Sequence, residues 1–595
     1  MMPVDQSILK RAQDYIKNEN SDSFRQEVEI LLEEEKWDAL NDRFYTQLNF
    51  GTGGLRGVIG GGYNRINPYN VQKTTQGLAS YIKKETGSGE SAVVIAHDSR
   101  HYSDVFAREA AKVFCANGIK TYLFSSLRPT PELSFGVRLL KATAGIVITA
   151  SHNPPEYNGY KVYWSDGAQI VAPHDSGIIE EIRKVGKVPS ISEDEARRKG
   201  LLEIIDEQID GPYLHSVKKQ ALRPNLIKER GKDFRVVYTP LHGTGAKPVS
   251  QVLEEMGIEV TFVPEQKDPD GDFPTVKYPN PEDGSAMKMA LEMASRINAD
   301  LVMGTDPDSD RLGIAVPDGD KFKLVTGNQL GALLADYIFN TARELQVLPE
   351  RPAFIKTIVT SELSRLIADD CGAECFDTLT GFKYIAAKIR EFETTGGPNY
   401  VFGCEESYGY LVGATVRDKD AVSAATMTAE MTLYHVSEGK SLLDRLDEIY
   451  RKHGYFQETL ISGEFKGEEG FKAMEALMEQ LRMNPPKRWG GENIHLIKDY
   501  REGTTTDLEN NTTSHDIDLP KSNVLQFILH DATIITARPS GTEPKIKFYA
   551  SCRSLSVEES GVDLAELLDL TEIKEEVQSR IERITKDIRG LLGTS

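Results

Sequence analysis

Short apolar runs recur along the first three quarters of the chain, each closing on a polar or glycine-bearing loop and followed by a stretch with helical spacing. This alternation predicts α/β layers. Three segments read as versions of one unit: Val93–Asp98, Phe234–Thr239 and Ala353–Ile358. In each unit a later strand runs into a loop carrying Ser151, Asp306 or Glu405, so an internal threefold repeat is expected, with its working loops at the carboxyl ends of strands. The last quarter changes character. Phe471, Met474, Leu477 and Leu481 on one face predict a helix ending near Asn484-Pro485-Pro486. The stretch from Glu502 to Asp518, rich in Thr, Asn and Asp, predicts an exposed loop. Strands are expected around Phe527 and Ile534, and Ile573, Val577, Ile581, Ile584 and Ile588 predict a closing amphipathic helix. At the other end, Leu31, Leu32, Trp37 and Leu40 predict a helical arm over about the first 45 residues, there for packing or oligomer contacts.

Length and composition narrow the picture. A chain of 595 residues is too long for one core and suggests roughly three to five domains. Hydrophobic residues at 39% and charged residues at 27% fit a soluble globular protein. The formal charge of −21 excludes nucleic acid as a partner and means that an anionic ligand must be held by local arginines, lysines and metal. Five cysteines, an odd number, argue against a disulfide framework and for a reducing, cytoplasmic location. Cys371 and Cys375 could share a helix face, but no matching Cys/His pair supports zinc, and buried free thiols are expected. The N-terminus lacks the apolar core of a signal peptide, and no run approaches a membrane span.

Four loops carry chemistry. Thr149-Ala150-Ser151-His152-Asn153-Pro154 follows the apolar Gly145–Ile148, and Asn153-Pro154-Pro155 keeps the chain out of regular structure, so Ser151 is expected exposed and rigidly aimed, as a hydroxyl nucleophile would be. By itself the run is equally a plain turn. Gly304-Thr305-Asp306-Pro307-Asp308-Ser309-Asp310-Arg311 follows the strand Asp300–Met303. Carboxylates at alternate positions of a tight loop converge on one hard cation, magnesium, manganese or calcium, and the loop lacks the glycine and distant glutamate of an EF-hand. Three repelling carboxylates at the end of a buried strand need such a cation; a solvated acidic turn would not. Arg538-Pro539-Ser540-Gly541-Thr542-Glu543-Pro544-Lys545, after the strand-like Ala532–Thr536, offers a guanidinium, hydroxyls and free N–H groups to a phosphate, without being a Walker loop. Gly403-Cys404-Glu405-Glu406-Ser407-Tyr408-Gly409 pairs an acceptor with a hydroxyl donor, which suits neighbouring sugar hydroxyls or an ordinary polar turn.

In this order the four segments resemble the α-D-phosphohexomutase superfamily, most closely its phosphoglucomutase and phosphopentomutase branches. The resemblance runs from Gly51-Thr52-Gly53-Gly54-Leu55-Arg56-Gly57 to the phosphate loop near the C-terminus. It implies an α/β fold of four domains around a central cleft, three related mixed α/β sandwich domains and a smaller α+β C-terminal one. These are residues 1–210, with phosphoserine and the helical arm; 211–325, metal-binding; 326–450, sugar recognition; and 451–595, phosphate-binding.

The same resemblance implies site roles. Ser151 would carry the phosphoryl group, and Mg2+ held by Asp306, Asp308, Asp310 and a Ser151 phosphate oxygen would act as Lewis acid. Arg311 and Arg56 would meet the transferring phosphate, while His152 and Lys161 would orient the substrate or move its proton. Lys419 matches a lysine placed for substrate contact or acid/base work. Thr380, Gly381, Lys383, Glu405 and Ser407 would face the sugar, and Arg538, Ser540, Gly541 and Thr542 the distal phosphate. Lys383 stands beside a position where the bifunctional mannose/glucose mutases carry histidine, and the Glu405–Ser407 loop ends Ser-Tyr-Gly rather than with their histidine. Both departures favour glucose or pentose phosphate over mannose phosphate.

The leading expectation is therefore a phosphoglucomutase interconverting glucose 1-phosphate and glucose 6-phosphate through a phosphoserine and a sugar bisphosphate, which serves as intermediate and activator. Phosphopentomutase, phosphomannomutase and bisphosphate synthase activities are the neighbouring alternatives. A catalytically silent sugar-phosphate-binding protein is the alternative from another class. The expected partners are small-molecule sugar phosphates, without nucleic acid or membrane, on a monomer or homodimer.

Overall fold

The computed structural model describes residues 6–51, 53–87, 89–465, 467–540, 545–554 and 570–593. The chain divides into two compact units, Met1–Gly327 with Phe382–Ser437, and Asn328–Gly381 with Glu438–Ser595.

The first unit contains two sheets built on one plan. In the first, described strands run in the order Gly54–Val58, Tyr157–Trp164, Ala144–Ile148, Ala92–His97, Lys120–Phe124, Leu202–Ile205. Ala144–Ile148 is parallel to Ala92–His97 and antiparallel to Tyr157–Trp164. The second sheet runs Lys321–Val325, Leu312–Asp318, Leu301–Thr305, Val236–Thr239, Val260–Phe262. There Leu301–Thr305 is parallel to Val236–Thr239 and antiparallel to Leu312–Asp318. The loops carrying Ser151 and Asp306 thus leave equivalent strands, as the repeat requires. Its third copy supplies a hairpin, Asn399–Glu405 with Gly409–Val412, to the first unit, and a parallel pair, Pro352–Thr357 with Glu374–Thr378, to the second.

Burial explains why these strands read as continuous apolar runs. Ile146 and Ile148 pack into one core with Leu78 and Phe106, and Val147 into another with Leu133 and Val137. Alternate side chains of a strand with helices on both faces have no polar side to show.

The arm forms as expected: Gln6–Asn18, Asp22–Glu33 and Trp37–Phe44 are helices. Tyr15, Val28, Leu40 and Phe44 are buried together, with Tyr63 and Tyr69 packed on them. Glu27 accepts from the Gly61 N–H at 2.6 Å, tying the arm to the loop after the first strand.

In the second unit an antiparallel sheet follows the order Phe456–Glu464, Lys545–Arg553, Ile534–Pro539, Leu525–Leu529, Glu492–Asp499, Thr504–Asp507, Thr512–Ser514. Helices Gly467–Met483 and Thr571–Leu592 bury Met474, Leu481, Val577, Ile581, Ile584 and Ile588 against Phe527 and Phe548. Ile573, at the start of the last helix, is only half-buried.

Three expectations are corrected. The polar 502–518 stretch is a β-hairpin, not a loop, because threonines suit an exposed ladder even without an apolar face. The strand expected from Ala532 begins at Ile534, since Ala532 turns the chain at φ +60°. Cys371 caps the helix Glu362–Asp370 while Cys375 lies on a strand, so the two thiols share no helix face. Among the described residues no helix is long and apolar enough to cross a membrane.

Candidate active site

Ser151 follows the strand Ala144–Ile148 at φ +52°, in the left-handed region that costs a side chain about 1–2 kcal/mol. Strain of this kind persists where neighbours over-determine it. Here the Ser151 N–H donates to Thr149 Oγ1 at 2.8 Å. Arg100 then locks the rest of the turn, donating to the carbonyls of Ser151 (2.5 Å), Pro154 (2.7 Å), Tyr157 (3.0 Å) and Asn153. Its own Nε lies 3.3 Å from Asp98. Gly159 beneath the turn has no room for a side chain, since a Cβ there would meet Thr149 O at 2.3 Å.

The expectation that Ser151 is exposed is wrong: it is only 3% exposed. The second sheet brings the acidic loop over it, and Ser151 Oγ donates to Asp306 Oδ2 at 2.7 Å. His152 Nδ1 lies 3.2 Å from the same oxygen atom of Ser151.

In that loop Asp306 caps the turn, its Oδ1 accepting from the N–H groups of Asp310 and Arg311, both at 3.1 Å. Asp306, Asp308 and Asp310 are buried, and one oxygen from each lies within 4.8 Å of the others. Lysines from elsewhere in the unit balance them. Lys161, on the strand Tyr157–Trp164, reaches Asp308 Oδ2 at 2.7 Å and Asp310 Oδ2 at 3.3 Å. Lys419 reaches Asp310 Oδ2 at 3.1 Å and Asp418 at 3.0 Å. Gly409 lets it pass, because a Cβ at that position would stand 2.3 Å from Lys419 Cδ.

Titration follows this geometry. Burial, then the Asp308 and Asp310 charges, push Asp306 well above the carboxylate range. Burial works the same way on Asp308, but Lys161 outweighs it and holds that carboxyl low. Asp310 is also held low, by Lys419 and Lys161 against burial and Asp308. Burial and the Arg311 and Arg56 charges depress His152 and keep its imidazole neutral. Despite burial, Lys161 and Lys419 are raised by the carboxylates they face and stay charged.

The donors fit a hard divalent cation. Asp308 Oδ1 and Asp310 Oδ1 are buried oxygens without a hydrogen-bond partner among the described residues, a costly arrangement that a cation coordinated by both would satisfy.

The remaining expected residues divide between the units. Arg56 is exposed on Gly54–Val58 and donates to Asn153 Oδ1 at 3.1 Å, so it stands over the serine turn. Arg311 pairs with Glu282 at 2.8 Å. Glu405 is buried at the end of its strand and adds to the field on Lys419 and Arg311, while Ser407 lies half-buried in the following turn. Lys383, on the helix Phe382–Thr395, stands 5.1 Å from the Tyr384 ring, and burial lowers its pKa.

The second unit holds Thr380, whose Oγ1 is buried, and Gly381, at φ +118°. It also holds Arg538, half-buried on Ile534–Pro539 with Nη1 3.4 Å from Tyr549 OH, and Ser540, whose N–H donates to Lys545 O at 2.7 Å. Gly541 and Thr542 lie outside the described residues.

Sequence reasoning missed Thr130 and Arg100. Thr130 grips Asp308 twice, Oγ1 to Oδ2 at 3.0 Å and N–H to backbone O at 2.9 Å. Arg100 sits in the loop after Ala92–His97, and Thr130 opens the helix Thr130–Leu139 that follows Lys120–Phe124; their place beyond the carboxyl ends of first-sheet strands was the available signal.

Comparison with known proteins agrees with this geometry. Models of the phosphoglucomutase/phosphomannomutase alpha/beta/alpha domains I, II and III match residues 47–188, 211–319 and 326–453. A phosphoglucomutase of Staphylococcus epidermidis is 38% identical over 555 residues, covering 92% of this chain and 95% of that protein. One of Staphylococcus aureus is 39% identical over 518 residues, covering 86% and 90%. Among solved structures, the open form of the Paramecium phosphoglucomutase parafusin matches with a TM-score of 0.67 at 17% identity, covering 92% of this chain and 97% of that one. A phosphoglucomutase/phosphomannomutase family protein of Burkholderia thailandensis matches at 0.61 and 18%, covering 87% and 95%. The fold, the three matched domains and nearly full-length relatives together establish that this chain belongs to the phosphoglucomutase/phosphomannomutase family, whose members are phosphohexomutases.

Proposed function

We propose that the chain is a phosphoglucomutase interconverting glucose 1-phosphate and glucose 6-phosphate, with Ser151 as the phosphoryl carrier. The observation that carries this reading is the placement of a buried, strained serine hydroxyl 2.7 Å from a three-aspartate loop. The names of the curated relatives select glucose among the sugars.

Ser151, once phosphorylated, donates to the free hydroxyl of the bound monophosphate; the bisphosphorylated sugar then turns over and returns its other phosphate to Ser151. Each half-reaction breaks one P–O bond and makes another, so positioning and charge neutralisation carry the catalysis. Asp306, Asp308 and Asp310 would hold Mg2+, which when bound supplies Lewis-acid polarisation of the phosphoryl oxygens. Arg100 fixes the serine turn. Lys161 and Lys419, charged and buried, present protons and positive charge where the sugar hydroxyl and phosphate meet Ser151. His152, neutral and 3.2 Å from Ser151 Oγ, is placed to orient that oxygen. Arg538 and Ser540 would bind the phosphate that is not reacting.

A coupled assay of one preparation against glucose, mannose and ribose 1-phosphates tests the reading. Highest kcat/KM on glucose 1-phosphate is expected. Preference for ribose 1-phosphate would transfer the assignment to a phosphopentomutase, and turnover of none would refute it.

A further inference from the structure

The second unit gathers a donor set of its own. We propose that His495, Glu509 and His530 form a binding site for a zinc-class divalent cation, which pins the turn of the Thr504–Ser514 hairpin to the neighbouring strands of its own sheet.

Three separate backbone devices aim these side chains at one point. His495 sits where the pairing of Glu492–Asp499 with Leu525–Leu529 slips between Ile494 and Leu496. A bulge of this kind re-aims a side chain out of the regular alternation. His530 follows the partner strand directly, and its N–H donates to Asn493 O at 3.2 Å, which sets the two imidazoles side by side with ring centroids 5.2 Å apart. Glu509 lies in the hairpin turn. Its N–H and that of Asn510 donate to Asp507 Oδ1 at 2.9 and 3.0 Å, and the Leu508 N–H donates to His495 O at 3.0 Å. The turn is thereby held against the bulge.

The ligand atoms meet the requirement of a metal site. One atom from each of the three residues lies within 4.8 Å of the others. Glu509 Oε2 is 3.6 Å from His495 Nδ1, and Oε1 is 3.4 Å from His530 Nε2. A tetrahedral ion with bonds near 2.0–2.1 Å separates its ligands by roughly 3.3 Å, so a small rotation of the side chains completes the set. His495 Nδ1 is buried and makes no hydrogen bond among the described residues, leaving its position toward Glu509 open to a metal bond.

Two imidazoles and one carboxylate select the cation. Imidazole suits zinc and its late first-row neighbours, while magnesium keeps to oxygen. Three protein ligands leave a fourth position for water. This site is therefore chemically distinct from the all-carboxylate loop, and both can be filled at once.

The test uses the full chain, stripped with a chelator, returned to excess Mg2+, and titrated with Zn2+ alone against a chromophoric competitor. The wild type and Asp308→Asn should each take up one equivalent of Zn2+ in competition. Glu509→Gln, on an exposed turn where the fold is not at stake, and His530→Ala should each bind it more weakly. The loss should be at least the roughly 10–100-fold that follows even from removing an outer-shell partner. Zn2+ should also slow amide exchange across 504–514 in the wild type and not in Glu509→Gln. Absence of any Mg2+-resistant Zn2+ uptake, or uptake unchanged in both Glu509→Gln and His530→Ala, overturns the proposal.

Discussion

Ser151 Oγ and Asp306 Oδ2 stand 2.7 Å apart although 155 residues separate them in sequence. The serine turn of one sheet and the acidic loop of the other meet because both leave equivalent strands of a repeated unit. The hydroxyl is thus a structural partner as well as the proposed phosphoryl carrier, and the two roles can be separated.

Ser151→Ala should reduce mutase turnover to background, and intact mass should show a phosphoryl adduct on the active wild type that is missing from this variant. Ser151→Gly should be equally inactive yet more stable than Ser151→Ala by about 1 kcal/mol, because glycine takes the φ of +52° without strain. Denaturant midpoints of the two variants measure the difference, and equal midpoints would remove the strain argument.

Asp308→Asn should weaken Mg2+ binding by at least roughly tenfold and lower kcat in step, since it removes a formal charge from the oxygen set and breaks the 2.7 Å pair with Lys161. Chelation of the wild type by EDTA should abolish activity, and added Mg2+ should restore it. Activity indifferent to both treatments would exclude a metal from the transfer.

Arg538→Ala should lower kcat/KM for glucose 1-phosphate by about ten- to a hundredfold, the loss of one charge-assisted contact worth on the order of 1.5–3 kcal/mol. Phosphorylation of Ser151 by the bisphosphorylated sugar tests whether the loss is one of grip. If the rate at saturating bisphosphate falls as steeply as kcat/KM does, Arg538 acts on the reacting phosphate instead.

A pH effect follows from Asp210, which Arg128 binds at 2.9 Å through both carboxylate oxygens. Burial would raise its pKa, but the Arg128 contacts win and lower it from the ordinary 3.8 to about 2. A carboxyl depressed in the folded state contributes stability above its unfolded pKa and loses it as pH falls through the folded one. Between pH 4 and pH 2 the wild type should therefore lose about 2 kcal/mol that Asp210→Asn does not lose. Urea titrations at the two pH values give the comparison, and parallel losses would refute it.

Much of the candidate site's loop layout was legible in sequence because each motif is local: an apolar strand, then a loop of distinctive residue types. Asp306, Asp308 and Asp310 repel one another at such close spacing, so the sequence already called for positive charge beside them, which Lys161 and Lys419 supply in part. What was not legible depends on distant segments. The burial of Ser151 is created by a loop from another sheet, and Thr130 looks like any threonine after a proline until Asp308 arrives against it. The 502–518 hairpin escaped because its strands have no apolar face, so period-two patterning leaves no trace there. His495 gave no signal, since a register slip belongs to the pairing of two strands and not to either one.

The lysines that neutralise the acidic loop set an order for folding. Lys161 is synthesised well before Asp308, but Lys419 lies more than a hundred positions after it, beyond the segment Asn328–Gly381 that belongs to the other unit. A nascent chain that has emerged only through the second sheet holds three crowded carboxylates with Lys161 and Arg311 beside them but not Lys419. The acidic loop therefore gains the last of its lysine partners only once Phe382–Ser437 has emerged and docked. Contacts this distant in sequence are slow to form and cooperative once formed, so the first unit should close as one late event, and its discontinuous ends should unfold together with the loop.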